Sequence, residues 1–135
     1  MDQHIKKVYV PMTETAFFIL LCLKKPNHGY GIVQSVEKMT DGAIKLTPGT
    51  MYGSLSKMEK DKVIRFVREE DKRKIYQITD LGLEVLQLEL KRIERLYKIA
   101  QEEIFNSLKH LSLRKSEKKR IYSTECRWIR RRWIL

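Results

Sequence analysis

Hydrogen-bond donors cluster on one side of the segment 47–61, whose other side is apolar. Met51, Leu55 and Met58 recur every three or four residues, which is the spacing of one face of an α-helix and predicts that this face is buried. The side chains between them carry hydroxyl or ammonium groups, and these are Thr50, Tyr52, Ser54 and Lys57. Such groups bind phosphates and, less often, the polar edges of bases. The segment therefore predicts a helix with one buried face and one face suited to nucleic acid.

The start of this helix is marked by Thr47 and Pro48. A threonine side chain accepts a hydrogen bond from the first free N–H groups of a helix, and proline fits the first helical position because no N–H is needed there. Free N–H groups at a helix start also attract anions. We therefore expect residues 47–50 to offer a phosphate-binding end, and the alternative is an ordinary solvated helix face.

Residues suited to catalysis or metal binding are not grouped in this sequence. Cys22 and Cys126 are far apart, and His4, His28 and His110 are scattered, which excludes a zinc ribbon, a zinc finger and a disulfide framework. Glycine-rich nucleotide loops and the hydrolase motif GxSxG are absent. We expect His28 to lie in a turn and Cys22 in the core. The sequence thus predicts no enzyme, no cofactor and no metal site.

The charge is strongly basic and unevenly distributed. The 135 residues include 28 lysines and arginines against 17 acidic residues, which gives a net charge of +11. The segment 114–135 alone holds nine basic and two acidic residues and contributes +7. This excess favours a polyanionic partner, first nucleic acid and second an anionic membrane surface. Charge alone does not choose between the two.

The length is that of one domain, which buries a modest core and gains stability from a partner surface. The longest nearly unbroken apolar run covers only residues 16–23, whereas spanning a bilayer takes about 18 residues or more. Residues 1–4 include an acid and lead into no signal-peptide core. We therefore expect a cytoplasmic protein with no membrane partner.

Two more helices are predicted before the segment 47–61. The first covers residues 13–23 and is capped by Thr13, and the second covers residues 30–39. Proline, asparagine and glycine at 26–29 predict a break between them.

Strand-like segments follow the third helix. Short β-branched stretches at 63–68 and 74–79 predict two strands that flank a charged loop at 69–74. Three helices followed by a hairpin is the order of a winged helix-turn-helix. The predicted fold class is therefore mainly α with a small β-hairpin, followed by a long C-terminal helix.

This long helix is predicted to start at Thr79 and Asp80. Apolar residues alternate spacings of three and four over about three heptads, which predicts a coiled-coil-like seam. The seam residues are Leu83, Leu86, Leu90, Ile93, Tyr97, Ala100 and Ile104. A second apolar strip beside it consists of Val85, Leu88, Leu96 and Ile99. We expect one strip to pack on the domain and the other on a second copy, and intramolecular packing alone is the alternative.

Four stretches between residues 13 and 104 match a known family in the expected order. They are His28-Gly29-Tyr30-Gly31; Leu46-Thr47-Pro48-Gly49-Thr50-Met51-Tyr52 with Leu55, Met58-Glu59-Lys60 and Val63-Ile64; Arg73-Lys74-Ile75-Tyr76-Gln77-Ile78-Thr79; and Leu81-Gly82. On these residues the chain resembles the PadR family of bacterial transcriptional regulators, and its short C-terminal region is similar to the subgroup with a single C-terminal helix.

The resemblance implies a winged-helix DNA-binding domain at 1–79 and a dimerisation helix at 80–113 that forms a homodimer. It further implies a palindromic double-stranded DNA operator, usually repression, and release by a small-molecule effector. The family order and the helix and wing patterns together indicate which residues contact DNA. These residues are Tyr30, Thr47, Thr50, Tyr52, Ser54, Lys57, Lys72, Arg73 and Lys74.

Three features depart from the family pattern. The wing carries Glu69, Glu70 and Asp71 where many relatives have a glycine-rich tip, and these acids partly cancel the field of the basic residues beside them. Gly53 stands where proline is common. No tryptophan lies in the long helix, so the planar-drug pocket of some multidrug-sensing relatives is not expected.

The basic tail at 114–135 matches no feature of the family. Its arginines alternate with Trp128 and Trp133, which suits nucleic acid or an anionic bilayer surface, and a disordered, non-specific appendage is the alternative. Arginines around Cys126 favour a reactive thiolate, and an idle thiol is the alternative.

Two other classes of function stay open. One is a winged-helix module that binds protein, which Lys57 and Lys60 disfavour because such a module would present an acidic or apolar outer helix face. The other is a non-specific binder of nucleic acid or anionic membrane that acts through the tail.

Overall fold

Helices and a small sheet alternate along residues 2–110, the part of the chain described by this computed structural model, with side chains described through residue 107. The elements are α1 (Gln3–Tyr9), α2 (Glu14–Cys22), β1 (Asn27–His28), α3 (Gly29–Met39), α4 (Pro48–Lys60), β2 (Ile64–Glu70), β3 (Arg73–Ile78) and α5 (Asp80–His110). The predicted fold class, mainly α with a small β-hairpin and a long C-terminal helix, is confirmed. The expectations for the tail at 114–135, including Cys126, lie outside the described residues.

The starts of α2 and α4 follow from threonine caps. Thr13 Oγ1 accepts a hydrogen bond from the Ala16 N–H at 3.2 Å, and Thr47 Oγ1 accepts one from the Thr50 N–H at 3.3 Å. Pro48 stands in the first turn of α4, where its missing N–H is not needed. The predicted starts of both helices are therefore confirmed.

Two elements lie where the sequence pattern predicts none. The helix α1 has seven residues and buries Ile5 and Tyr9. The strand β1 has two residues and lies inside the predicted break at 26–29. Periodicity needs several repeats to be recognised, so elements this short escape it.

The sheet has β3 at its centre, with β1 and β2 antiparallel on either side. The register pairs Phe66 with Tyr76, and it shifts between Phe66 and Arg68. Such an irregularity bends a strand and increases its twist. The hairpin therefore curves along its length.

The hairpin turn is tighter than the predicted loop at 69–74, and that prediction is wrong. Only Asp71 and Lys72 separate the two strands, with φ angles of 49° and 62°. Positive φ at both central residues is the geometry of a two-residue type I′ turn, whose twist matches that of the flanking strands. The charged residues on either side of the turn belong to the two strands. Their positions there are exposed, so their side chains remain in water.

The hydrophobic core lies between α2, α3, α4 and the sheet. Met51, Leu55 and Met58 are at most 2% exposed, which confirms the predicted buried face of α4. The other fully buried side chains of this core include Ile19, Leu20, Leu23, Ile32, Val36 and Val63.

The first part of α5 packs along a stripe with the spacing of successive helical turns. Gly82, Val85, Leu86 and Glu89 form this stripe, and all four are buried. A Cβ atom at Gly82 would overlap the carbonyl oxygen of Val63. The absence of a side chain at Gly82 therefore lets α5 start directly against the sheet.

Leu86, predicted as a dimerisation residue of the seam, packs inside its own chain instead. Its side chain is 4% exposed and is part of the core of its own chain. At 100° per residue, residue 86 lies between the seam residues 83 and 90 on one side and the buried residues 82, 85 and 89 on the other, so it borders both faces of the helix. Leu86 packs with the buried stripe because the sheet fixes the start of the helix.

Glu89 is the charged member of the stripe and is 1% exposed. Arg92 Nε donates a hydrogen bond to Glu89 Oε2 at 2.9 Å, and the Met12 backbone N–H also donates to this carboxylate. The bond from Arg92, followed by that from Met12, holds the pKa of Glu89 below its usual value although burial opposes this. The carboxylate thus joins α5 to the segment that leads into α2.

Residues 94–107 of α5 belong to a second structural unit and have exposed side chains throughout. Their apolar members include Leu96, Ile99 and Ile104, each about half exposed. Lys98 Nζ lies 3.0 Å from Glu94 Oε1 one turn earlier. Within residues 2–110, no helix is long and apolar enough to cross a membrane.

Candidate nucleic-acid interface

The outer face of α4 presents most of the residues expected to contact DNA. Thr47, Thr50, Tyr52 and Lys57 are exposed, and Ser54 is half-buried. The opposite face of the helix is buried in the core, so the backbone that carries these side chains is held in place. The structure therefore brings together the polar face predicted from the sequence.

The N-terminal end of α4 is partly satisfied by its own cap. Thr47 Oγ1 accepts from the Thr50 N–H and donates to Thr50 Oγ1 at 2.9 Å. The Met51 N–H bonds to the carbonyl of Thr47 at 2.9 Å. Two of the N–H groups at this helix start are therefore occupied, which leaves the threonine hydroxyl of Thr50 as the better candidate to meet a phosphate.

The stretch His28-Gly29-Tyr30-Gly31 shapes the junction between β1 and α3. His28 Nδ1 accepts a hydrogen bond from the Gly31 N–H at 3.1 Å and so caps α3. A Cβ atom at Gly31 would overlap the side chain of Asn27, and one at Gly29 would lie 3.4 Å from Tyr52 Cε1. Both glycines therefore permit close packing, and His28 is a helix cap, as its expected place in a turn suggests.

Tyr30 links α3 to the wing, the hairpin formed by β2 and β3. Its side chain is 58% exposed, and the guanidinium carbon of Arg73 lies 5.9 Å from the centre of its ring. A cation at this distance from an aromatic face is attracted by the ring. Tyr30 and Arg73, expected separately from the sequence, are thus neighbours on one surface.

The basic side of the wing is balanced by acids across the hairpin. Lys72, Arg73 and Lys74 are all exposed. In the register of the sheet, Glu69 stands opposite Lys74 and Glu70 opposite Arg73. Glu70 also forms an ion pair with Arg68. Opposite charges in these positions weaken the field of the wing, so its basic residues attract phosphate less strongly than their number suggests.

The two strands of the wing are joined by an aromatic pair. Phe66 and Tyr76 meet edge to face with ring centres 6.2 Å apart. Burial, and then the nearby Glu59 and Tyr52, raise the pKa of Tyr76. Glu59 and Tyr52 belong to α4, so the charge environment of the Tyr76 hydroxyl is set partly by that helix.

Tyr9 is a residue of this region that the sequence pattern did not identify. It is 4% exposed and lies at the end of α1. Its hydroxyl donates to Asp61 Oδ2 at 2.7 Å, and Lys57 Nζ lies 5.8 Å from the centre of its ring. Fifty-two residues separate Tyr9 from Asp61, so no local pattern could have indicated the contact.

Groups for metal binding are not assembled in the part of the chain that is described. No three histidine, cysteine, aspartate or glutamate residues among residues 2–107 come together as metal ligands. Cys22 is half-buried, packs against the core, and has its pKa raised by burial. A raised pKa keeps the thiol protonated and unreactive.

Residues 19–88, more than half of the chain, match the sequence model of the PadR-like family of transcriptional regulators. The chain belongs to this family. The matched region runs from α2 through the wing and into α5, so it contains the residues described above except Tyr9. PadR regulators bind DNA, commonly act as dimers, and are typically not enzymes.

Two curated proteins are similar to part of the chain. The transcriptional regulator YqjI of Escherichia coli is 26% identical over 68 residues, which are 50% of this chain and 33% of that protein. An uncharacterised 37.1 kDa protein of a Streptomyces fradiae transposon is 30% identical over 86 residues, which are 62% of this chain and 24% of that protein. The chain therefore spans only part of the length of these curated relatives.

The fold is shared with solved PadR structures. The crystal structure of a PadR family transcription regulator from Clostridium difficile superposes with a TM-score of 0.58 at 23% identity, over 68% of this chain and 99% of that chain. This likeness supports the winged-helix fold with its long C-terminal helix.

Proposed function

We propose that this PadR protein is a repressor that binds a palindromic DNA operator as a homodimer, with α4 of each copy in the major groove. The observation that carries the proposal is the division of α4 into a fully buried apolar face and an exposed face of hydroxyl and ammonium groups. A helix anchored in this way can enter a groove without losing its packing.

The proposed contacts form two groups with different roles. Thr50, Tyr52, Ser54 and Lys57 on α4 would meet base edges and phosphates and so provide sequence selectivity. A second group would bind mainly the backbone, and it consists of Tyr30, Thr47, Lys72, Arg73 and Lys74. Because phosphate contacts release counterions, we expect affinity to fall steeply with salt.

The apolar side chains of α5 support a homodimer. Leu83, Leu90, Ile93, Tyr97 and Ile104 are each between 39% and 54% exposed, and Ala100 is exposed as well. An apolar surface that continues along one helix marks an interaction site. A second copy would cover it, and two-fold symmetry would then place two α4 helices for two operator half-sites.

The resemblance to the family also implies a small-molecule effector that changes the spacing of the two winged domains. This function requires access to the chromosome, in agreement with the cytoplasmic location expected from the sequence.

A protein-binding winged helix is the competing function. Lys57 and Lys60 on the outer face of α4 favour a polyanion instead. A binder driven by the tail is the other alternative, and it predicts that the winged domain contributes little to DNA affinity.

The test is selection of duplexes from a random pool by the full chain and by a version that ends at Ser112, at low and at physiological salt. We expect both versions to enrich the same palindromic motif. Binding without a motif, only by the version with the tail, and lost at physiological salt would contradict the repressor proposal.

Substitutions in the full chain locate the interface. We expect Lys57→Ala to weaken binding to the selected duplex and to lower the salt dependence by about one phosphate contact per copy. Lys91→Ala, which removes the same charge from an exposed position on α5, is the matched control. Equal losses for the two variants would mean that net charge, and not α4, governs binding.

A further inference from the structure

The end of α1 meets the C-terminal end of α4 through three linked contacts. The Tyr9 hydroxyl donates to Asp61 Oδ2 at 2.7 Å. The Asp61 N–H bonds to the carbonyl of Lys57 at 2.9 Å, which closes the last turn of α4. The ammonium of Lys57 lies 5.8 Å from the centre of the Tyr9 ring. The contacts run from Tyr9 to Asp61, from Asp61 to Lys57, and from Lys57 back to Tyr9.

Of these contacts, only the one with the Tyr9 ring involves the Lys57 side chain, and the other two hold that ring and the end of α4 in place. Lysine has a long, flexible side chain, and ordering it on binding costs entropy. The Tyr9 ring is itself fixed, because it is buried in the core and its hydroxyl is tied to Asp61. A fixed aromatic face beside an exposed ammonium narrows the positions that the ammonium occupies.

We propose that Tyr9 is a positioning residue for DNA binding, which orders the Lys57 ammonium before it meets a phosphate. This inference rests on the proposed function, since it assigns the order of one contact within that interface. Tyr9 itself is buried and does not touch DNA. The ring provides the effect, and the hydroxyl keeps the ring and the end of α4 in register.

The arrangement distinguishes Lys57 from its neighbour Lys60. Both lysines are exposed and lie in the last turn of α4. The aromatic contact of Tyr9 is with Lys57. Lys60 therefore provides a matched control with the same chemistry on the same helix.

The first experiment records the lysine ε-methylene signals by NMR in the free full-length protein with ¹³C-labelled lysine. We expect one signal to be shifted upfield by the ring current of Tyr9, and to disappear in Lys57→Ala but remain in Lys60→Ala. The shift should remain in Tyr9→Phe, which keeps the ring, and be lost in Tyr9→Leu. A Lys57 signal at the ordinary lysine position in the wild-type protein overturns the proposal, whether or not Tyr9→Leu folds.

The second experiment measures binding of the full chain to a fluorescein-labelled 40-base-pair duplex of scrambled sequence, across a series of salt concentrations. We expect Tyr9→Leu to weaken binding about two- to fivefold, as the loss of one exposed cation–π contact would. Tyr9→Phe should stay within about twofold of the wild type. In a Lys57→Ala background, Tyr9→Leu should have no further effect.

A purely structural role of Tyr9 gives a different result. It predicts that Tyr9→Leu weakens binding equally in the wild-type, Lys57→Ala and Lys60→Ala backgrounds, and this would overturn the proposal. If the wild type binds no duplex at low salt, the proposed function fails as well. If Lys57→Ala weakens binding and Tyr9→Leu does not, only the present proposal fails.

Discussion

The two parts of α5 carry similar apolar patterns but differ in what covers them. Along residues 80–93, a stripe from Gly82 to Glu89 is buried against the winged domain of the same chain. Along residues 94–107, every side chain is exposed, apolar ones included. The comparison shows that amphipathic spacing indicates a packed face but does not say which surface packs against it.

The ion pairs of the two parts differ in the same way. Glu89 and Arg92 are joined where the carboxylate is removed from water, and the backbone of Met12 provides a further hydrogen bond. Glu94 and Lys98 are joined in water. Exposed pairs contribute little to stability, whereas a buried carboxylate without its partners is costly. The first pair is therefore structural and the second is not.

The largest effect is expected at Gly82. A Cβ atom there would overlap the Val63 carbonyl oxygen and lie 2.6 Å from Ile78 Cγ1. We expect Gly82→Ala to lower the free energy of unfolding by about 3 kcal/mol, because neither the backbone nor a packed side chain can yield easily. Urea denaturation measures this change.

Gly53→Ala is the matched control for that variant. No atom lies within 4 Å of a Cβ at Gly53, and alanine is favoured over glycine inside a helix by about 1 kcal/mol. We expect stability to rise or stay the same. Equal losses at the two glycines would show that α5 is not seated by close approach at Gly82.

The next effect is expected at Glu89. Glu89→Gln should lower the free energy of unfolding by about 1–3 kcal/mol, because a charged hydrogen-bond acceptor is replaced in a buried position. The pKa of Glu89 is lowered in the folded protein, so its contribution is fully present above the pKa of the unfolded carboxyl. It is lost as pH falls through the folded-state pKa.

Stability measured from pH 7 down to acid checks this prediction. The difference between wild type and Glu89→Gln should be constant near neutral pH and shrink in acid, below the ordinary carboxyl pKa of 4.5. A difference that grows as pH falls would have the wrong sign and would contradict the ionised pair.

A third effect is expected in the exposed part of α5. If a second copy covers this face, Ile104→Asp should raise the dimer dissociation constant about tenfold or more, because a charge replaces a buried apolar side chain. Sedimentation equilibrium measures this constant. Gln101→Asp adds the same charge on the same helix and is the control. An unchanged constant for Ile104→Asp would place the dimer interface elsewhere.

The smallest effect is expected for the exposed ion pair. Lys98→Ala should change the free energy of unfolding by at most about 0.5 kcal/mol, and the change should shrink further at high salt. Thermal denaturation at two salt concentrations is sufficient. A loss of stability as large as that expected for Glu89→Gln would contradict the difference between the buried and the exposed ion pair.

The spacing of residues correctly predicted those helices and faces in which many successive residues follow one period. The faces of α4 were correctly divided because Met51, Leu55 and Met58 repeat at helical intervals with donors between them. The caps at Thr13 and Thr47 were predicted because capping depends on residues three apart. The DNA contacts assigned to the exposed side chains stay predictions.

Contacts between distant residues could not be predicted in this way. The Tyr9–Asp61 bond joins residues that are far apart in sequence, and β1 is too short to show a period. Glu89 was missed because an apolar reading of α5 leaves out a charged residue, although its position follows the buried stripe. Leu86 was assigned to the seam because it lies on the border between the seam and the buried stripe, and spacing alone does not show which side a border residue packs on.

The short strand β1 connects the wing mechanically to the helices of the helix-turn-helix. Asn27 and His28 pair with Tyr76 and Ile75 in β3, and His28 also caps α3. The Ile78 N–H bonds to the carbonyl of Leu23 at the end of α2. If DNA binds the hairpin as proposed, a torque on it would reach α2 through the backbone bond of Ile78 and α3 through β1 and the His28 side chain. The amide protons of β1, β3 and the first turn of α3 are expected to exchange with solvent in one cooperative opening.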